Sequence, residues 1–254
     1  MSTAPGYWAV IPAAGVARRM GASVPKQYLE LAGRPVIEWS LGLFLDHPQI
    51  SGVCVALDPE DRFWPRTACA DHPRVRRVDG GTERCHSVLN ALDLLAREAD
   101  AADRVLVHDA ARPCLRRDDL DRLLAALADH PVGGLLGVPV RDTMKQTGEG
   151  GAIRRTVPRD ALWHAFTPQL FRLGLLRQAL RAALDQGSLV TDDAAAVELL
   201  GLEPMLVEGH ADNIKITRPE DLPLADFYLR QQGHPVRMLS TTDNTERTRP
   251  SRKN

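Results

Sequence analysis

The chain has 254 residues, 32 Lys and Arg against 33 Asp and Glu, and a formal net charge of −1, a length at which one α/β domain around a single core is expected. Near-neutral charge argues against a general electrostatic field for nucleic acid, and no run approaches the roughly 18 apolar residues of a membrane-spanning helix, so neither partner is expected. Cys54, Cys69, Cys85 and Cys114 follow neither a C-x-x-C pair nor metal-ligand spacing, which argues against a zinc site and a disulfide framework and leaves the reduced core thiols of a non-secreted, cytoplasmic protein as the expectation.

Tyr7 to Pro12 is a short apolar run with β-branched members and reads as a first strand. Ala13, Ala14 and Gly15 follow, small enough for a ligand to approach the backbone and use its N–H groups as anion donors. Arg18, Arg19 and Lys26 add fixed positive charge within reach of the same turn, so Val10 to Tyr28 reads as a holder for polyphosphate. It is not a Walker A loop, and Ala17 stands where G-x-G-x-x-G would need glycine. The competing reading is an ordinary strand-loop-helix connection with surface arginines. Lysine occurs only at Lys26, Lys145, Lys215 and Lys253, which draws attention to Lys26 and Lys215 as mobile point charges suited to phosphate.

Helical patterns at Val36 to Phe44, Thr82 to Glu98 and Leu115 to Ala128 alternate with strand-like runs at Val53 to Leu57, Val75 to Val78, Arg104 to Val107 and Gly134 to Val138. That rhythm predicts a largely parallel sheet with crossover helices, and ligands in such sheets bind beyond the carboxyl ends of strands. Two segments sit there. Asp79-Gly80-Gly81-Thr82 permits close approach of a base or sugar, or is simply a turn with Thr82 capping the next helix. His108-Asp109-Ala110-Ala111-Arg112-Pro113 offers Asp109 as a carboxylate able to hold or orient Mg²⁺ near phosphate-binding cations; alternatively Asp109 pairs with Arg112 to shape the loop.

Residues Arg141 to Thr156 break the alternation with two β-like pieces around Gly148-Glu149-Gly150-Gly151, a hairpin signal. A two-stranded arm alone is marginal in water, so a partner subunit is its natural completion. In VPRDALWHAFTPQ the aromatics read as core anchors, and His164 as packed rather than catalytic. Asp192-Asp193 begins a helical segment. Asp212 and Lys215 precede the last helix and are placed to return to the phosphate site, while Thr217 with Glu220 reads as that helix's capping box. From Gly233 the composition is polar, as in a disordered tail.

Assembled, the segments PAAGVARRM with PKQY, VDGGTERCHSV, VHDAARP, PVRDTMK, WHAFTPQ and ADNIKITRPEDL resemble the 2-C-methyl-D-erythritol 4-phosphate cytidylyltransferases of the non-mevalonate isoprenoid pathway, over about Ala9 to Leu229. Ala17 departs from a glycine often present in the related loop. The resemblance implies a single Rossmann-like nucleotidyltransferase domain over 7–231, a dimerisation β-arm at 141–156 within it, and a tail at 233–254. It implies transfer of CMP from CTP to 2-C-methyl-D-erythritol 4-phosphate with release of pyrophosphate, aided by Mg²⁺ or another divalent cation, in a homodimer. By the same resemblance Arg19, Lys26, Asp109 and Lys215 are catalytic, with Asp109 linked to the metal. Ala13, Ala14, Gly15, Asp79, Gly80 and Ser87 bind the nucleotide, and Arg112, Thr143, Arg159 and Thr167 the acceptor, with Thr143 and Arg159 reaching it from the partner's arm. A cytidylyltransferase for another polyol phosphate, such as ribitol 5-phosphate, would differ between Arg141 and Thr167; a nucleotide-binding regulator without turnover is disfavoured by Arg19, Lys26, Asp109 and Lys215.

Overall fold

The structure is a computed structural model that describes residues 5–15 and 24–234; Ala17, Arg18, Arg19 and nearly all of the predicted tail lie outside the described residues. Strand β1 (Tyr7–Pro12) matches its predicted span, and the chain resumes in a 3₁₀ turn at Lys26–Tyr28. A small pair, β2 (Glu30–Leu31) and β3 (Arg34–Pro35), leads into α1 (Val36–Leu45), β4 (Ile50–Leu57) and β5 (Val75–Asp79). Then come α2 (Arg84–Leu95), β6 (Arg104–Val107), α3 (Arg117–Leu127) and β7 (Gly133–Pro139). The predicted hairpin is β8 (Met144–Thr147) and β9 (Ile153–Val157), followed by β10 (Trp163–Arg172). The chain ends with α4 (Leu173–Asp185), α5 (Asp193–Glu198), β11 (Met205–Glu208) and α6 (Asp221–Gln231).

Seven strands form one sheet in the order β11-β7-β10-β6-β1-β4-β5. Every neighbouring pair is parallel except those made by β10, which runs antiparallel to both β6 and β7. Successive side chains alternate between faces. Ala9 and Ile11 of β1 pack with α1 and α3 around Phe44, Leu41 and Leu120, whereas Val10 packs with α2, α4 and α5 around Val88, Leu92 and Leu176. A third cluster, including Trp39, Cys114, Ile216 and Leu229, docks α6. The four cysteines are buried and unpaired, and burial pushes the thiols of Cys54 and Cys114 up to about 12, so they are inert core residues. No helix among the described residues is long and apolar enough to cross a membrane.

Two predicted caps are displaced by one position or more. Glu83, not Thr82, is the N-cap of α2, because His86 in the first turn accepts the Glu83 backbone N–H (3.3 Å) and fixes the start there. At α6 the expected Thr217–Glu220 box gives way to Asp221, whose carboxylate collects the Thr217 N–H (2.7 Å), the Thr217 hydroxyl (3.0 Å) and the Arg218 N–H (2.9 Å). Asp192 does cap α5, accepting from Ala195 N–H. His164, expected to be packed, is exposed; its backbone pairs with Val138 at the rim of the sheet, where β10 has not yet entered the core.

The carboxyl ends of β1, β4, β5 and β6 share one edge, and Gly80 lets two of the loops there touch. Its backbone N–H donates to Leu57 carbonyl at 2.7 Å, and a Cβ at this position would sit 2.2 Å from Ala14 Cβ and 3.3 Å from the Leu57 oxygen. Gly80→Ala is therefore expected to lose about 1–3 kcal/mol of stability, measurable as a lowered urea midpoint with an unchanged m value.

Candidate active site

At that edge the strand-end loops enclose a cavity of about 700 Å³. One wall is Pro12 to Gly15, held by the Ala13 N–H donating to Ala56 carbonyl (2.8 Å) and by the buried Gln27 amide donating to the carbonyls of Ala13 (2.8 Å) and Gly15 (3.4 Å). Lys26 lies on the lining beside it. The turn that carries Lys26 is anchored by Tyr28, whose hydroxyl donates to Asp61 (2.7 Å) and whose ring stacks on Phe63 at 5.2 Å.

The opposite wall is Gly81 to Arg84 with Ser87. The Ser87 hydroxyl accepts from Gly81 N–H (3.0 Å) and donates to Glu83 carbonyl (3.3 Å), so it shapes the turn as well as facing the cavity. Gly80 lies just behind, packed against Ala14 and Ser87. Asp79, expected at the pocket, is exposed. It still belongs to β5, paired with Leu57, and the chain turns into the cavity only after Gly80.

Asp109 forms the floor. Its carboxylate lies 3.2 Å from Arg84 Nε, 3.3 Å from Arg112 Nε and 2.9 Å from Lys215 Nζ. Burial alone would raise the Asp109 carboxyl, but the charges of Arg84, Lys215 and Arg112 outweigh it and hold the group well below the usual carboxylate range. The pairing of Asp109 with Arg112 is observed, and Asp109 also faces the cavity.

Arg84 carries no signal in the sequence, because its partners Asp109 and Asp193 are brought to it only by folding. It lines the cavity and bridges Asp109 to Asp193, 2.8 Å from its Nη2. Burial opposes its charge, and Asp193 and Asp109 more than restore it. Asp193 is itself wholly buried, which raises its carboxyl against the pull of Arg84.

Arg112 and Thr167 stand behind this floor. Arg112 donates to Asn213 carbonyl (2.7 Å) and lies over the Phe166 ring. The Thr167 hydroxyl accepts from Asp109 N–H (3.1 Å) and shares a hydrogen bond with His108 Nδ1 (3.0 Å), and His108 Nε2 reaches Arg112 carbonyl (3.0 Å). Burial pulls the His108 pKa down to about 4, so the ring is neutral at pH 7. Lys215 returns to the site because Ile216 N–H donates to Ala111 carbonyl (2.8 Å). Asp212 does not: its carboxylate is turned outward of the cavity to Arg116 (2.6 Å) and Gln232 (3.1 Å). Thr143 and Arg159 are exposed at the root of the β8–β9 arm and do not line this chain's own cavity, and Arg159 donates to Arg141 carbonyl.

For a divalent cation, the acidic side chains on the lining are Asp109 and Glu83. Among the described residues the one trio of potential ligands is Asp118, Asp119 and His210, away from this lining, where Asp119 already accepts from Arg122 and His210. Among the described residues the lining therefore offers no protein-built cage. A single carboxylate already facing cations suits Mg²⁺ that takes most of its oxygens from a polyphosphate and water.

A profile of the family described as 2-C-methyl-D-erythritol 4-phosphate cytidylyltransferase matches residues 7–231. The chain is 57% identical over 229 residues to the protein of that name from Pseudomonas fluorescens strain Pf0-1, covering 90% of this chain and 96% of the other. Over 217 residues it is 58% identical to its namesake from Ectopseudomonas mendocina strain ymp, covering 85% and 92%. The crystal structure of the Francisella tularensis 2-C-methyl-D-erythritol 4-phosphate cytidylyltransferase superposes with a TM-score of 0.78 at 36% identity, covering 88% of this chain and all of that one.

The neutral, buried His108 generates a pH dependence. Its folded pKa lies below the unfolded value of about 6.5, so its contribution to stability is complete above pH 6.5 and is lost as pH falls towards 4. Chemical denaturation should show stability declining over that window by on the order of 3 kcal/mol from this residue, and His108→Asn should flatten the decline. Asp109→Asn leaves three cations facing one another and is expected to cost about 3–5 kcal/mol at pH 7, read in the same denaturation experiment.

Proposed function

The chain belongs to the 2-C-methyl-D-erythritol 4-phosphate cytidylyltransferase family, and from that premise we propose how its residues divide the work. The enzyme transfers CMP from CTP to 2-C-methyl-D-erythritol 4-phosphate, forming 4-diphosphocytidyl-2-C-methyl-D-erythritol and pyrophosphate for isoprenoid precursor synthesis. An acceptor phosphate oxygen forms a bond to the α-phosphorus of CTP as the bond to the bridging oxygen breaks and its electrons leave with pyrophosphate. The nucleophile is already anionic, so no general base is required; alignment and charge neutralisation are the protein's task.

The cavity floor is the observation that carries the assignment: a carboxylate with Arg84, Arg112 and Lys215 at 2.9–3.3 Å, directly beyond the carboxyl end of β6. In this reading the loop from Ala13 to Gly15 holds the triphosphate with its backbone, while Gly80, Ser87 and the adjoining Thr82 shape the nucleoside side. Lys26 and Arg19 stabilise charge on the α-phosphate and the departing pyrophosphate. Lys215, 38% exposed, is free to swing from Asp109 towards the acceptor phosphate while Arg84 and Arg112 keep the carboxylate paired. Thr167 holds the Asp109 backbone in place from behind. Asp109 is the residue that would help hold Mg²⁺, which would supply further neutralisation of phosphate charge.

The arm supports a homodimer. Strands β8 and β9 pair only with each other and are exposed along nearly their whole length, with Ile153 65% exposed. A second subunit gives that hairpin a surface and brings Thr143 and Arg159 to the partner's acceptor site. The cysteines, buried and unpaired, suit the reducing cytoplasm.

Lys26→Ala should fold and lose about 2.7–4 kcal/mol of transition-state stabilisation, or about 10²–10³ in turnover, as does loss of a comparable electrostatic donor; pyrophosphate release with CTP measures it, and ribitol 5-phosphate in place of the natural acceptor should give little product. Mixing inactive Arg159→Ala with inactive Lys26→Ala under subunit exchange tests the shared site. One site in each heterodimer then carries both defects and the other neither, so activity should return. Exchange verified by mass without recovered activity would refute the arm's role.

A further inference from the structure

We propose that Gln27 is a positioning residue for the nucleotide: its buried amide engages the carbonyls of the Ala13 to Gly15 loop and sets that loop in register with Lys26. Gln27 is 4% exposed and follows Lys26 within one 3₁₀ turn. A primary amide has two N–H donors on one nitrogen, and Nε2 aims them at two acceptors of the same loop, Ala13 at 2.8 Å and Gly15 at 3.4 Å.

The consequence is electrostatic. Backbone carbonyls left facing a polyphosphate would repel it, whereas carbonyls bound to Gln27 are removed from the ligand. In a trans peptide the N–H points opposite to the carbonyl. With the Ala13 oxygen held by Gln27, the Ala14 N–H is directed away from Gln27, and it makes no hydrogen bond to another described residue. That leaves it as a donor for an anion in the cavity that both alanines line. The same turn fixes Lys26 at its other end through Tyr28 and Asp61, so the charged group and the backbone donors keep a constant separation. A glutamate at this position would turn two donors into acceptors facing two carbonyls, with almost no change in shape.

The inference rests on reading this cavity as the CTP site, and the test separates the two. Calorimetric CTP affinity, acceptor KM and melting temperature are compared for wild type, Gln27→Glu, the neutral Gln27→Met and Lys26→Ala. Gln27→Glu should weaken CTP binding by about tenfold or more, with acceptor KM within about twofold, and Gln27→Met should weaken it less. Loss of CTP binding in Lys26→Ala with none in Gln27→Glu overturns the Gln27 proposal alone. Unchanged CTP affinity in both overturns the reading of the cavity. Parallel loss of CTP affinity, acceptor KM and melting temperature, or failure of both Gln27 variants to fold, overturns it in favour of a purely architectural residue.

Discussion

The ion cluster at Asp109 is what the rest of the site depends on. Three cations from different parts of the chain converge on it: Arg84 from the first turn of α2, Arg112 from the loop after β6, and Lys215 from the segment before α6. Brought together without that carboxylate, they would repel one another at low dielectric. With it they hold three segments in one place, and Asp193 secures Arg84 from its other side. Cations still outnumber carboxylates in the cluster, so an anion is the ligand whose arrival lowers its energy. The same pairing that organises the fold also prepares the site for phosphate.

Around this cluster the polar groups are arranged so that no further charge intrudes. His108 lies between Arg112 carbonyl and the Thr167 hydroxyl with its ring neutral. An imidazolium there would compete with the cations for Asp109. Thr167 reaches the spot because β10 changes register between Ala165 and Gln169, freeing the intervening residues from the ladder with β7. A regular strand would have committed Thr167 to the sheet.

The parallel core was legible because its strands are short apolar runs closed by turn residues. Tyr7–Pro12 and Arg104–Val107 are observed at the predicted bounds. Strand β4 begins earlier than its apolar run, at Ile50, since Ser51 and Gly52 carry no apolar signal, yet Ile50 and Gly52 pair with β1 across an irregularity that skips Ser51. Strand β10 was hidden by Pro168 and by its register change, which erase the alternation that marks a strand. Helix α4 is carried by the spacing of Leu173, Leu176, Ala179, Leu180 and Ala183. In the site, Lys26, Asp109 and Lys215 were legible as charges in unusual company. Arg84 and Gln27 were not, because their roles are contacts with Asp193 and with backbone carbonyls that only the folded chain brings near.

The arm leaves the sheet between two residues that are hydrogen-bonded to each other, Val140 N–H donating to Leu162 carbonyl at 2.9 Å. Whatever lies beyond that bond is invisible to the strands beneath it. A change in the hairpin's length or twist leaves the pairing of β7 with β10 in place, and no residue of the hairpin lines the cavity. The architecture is modular: a sheet whose strand-end loops build the cavity by themselves, and a hairpin joined to it through a single hydrogen-bonded neck.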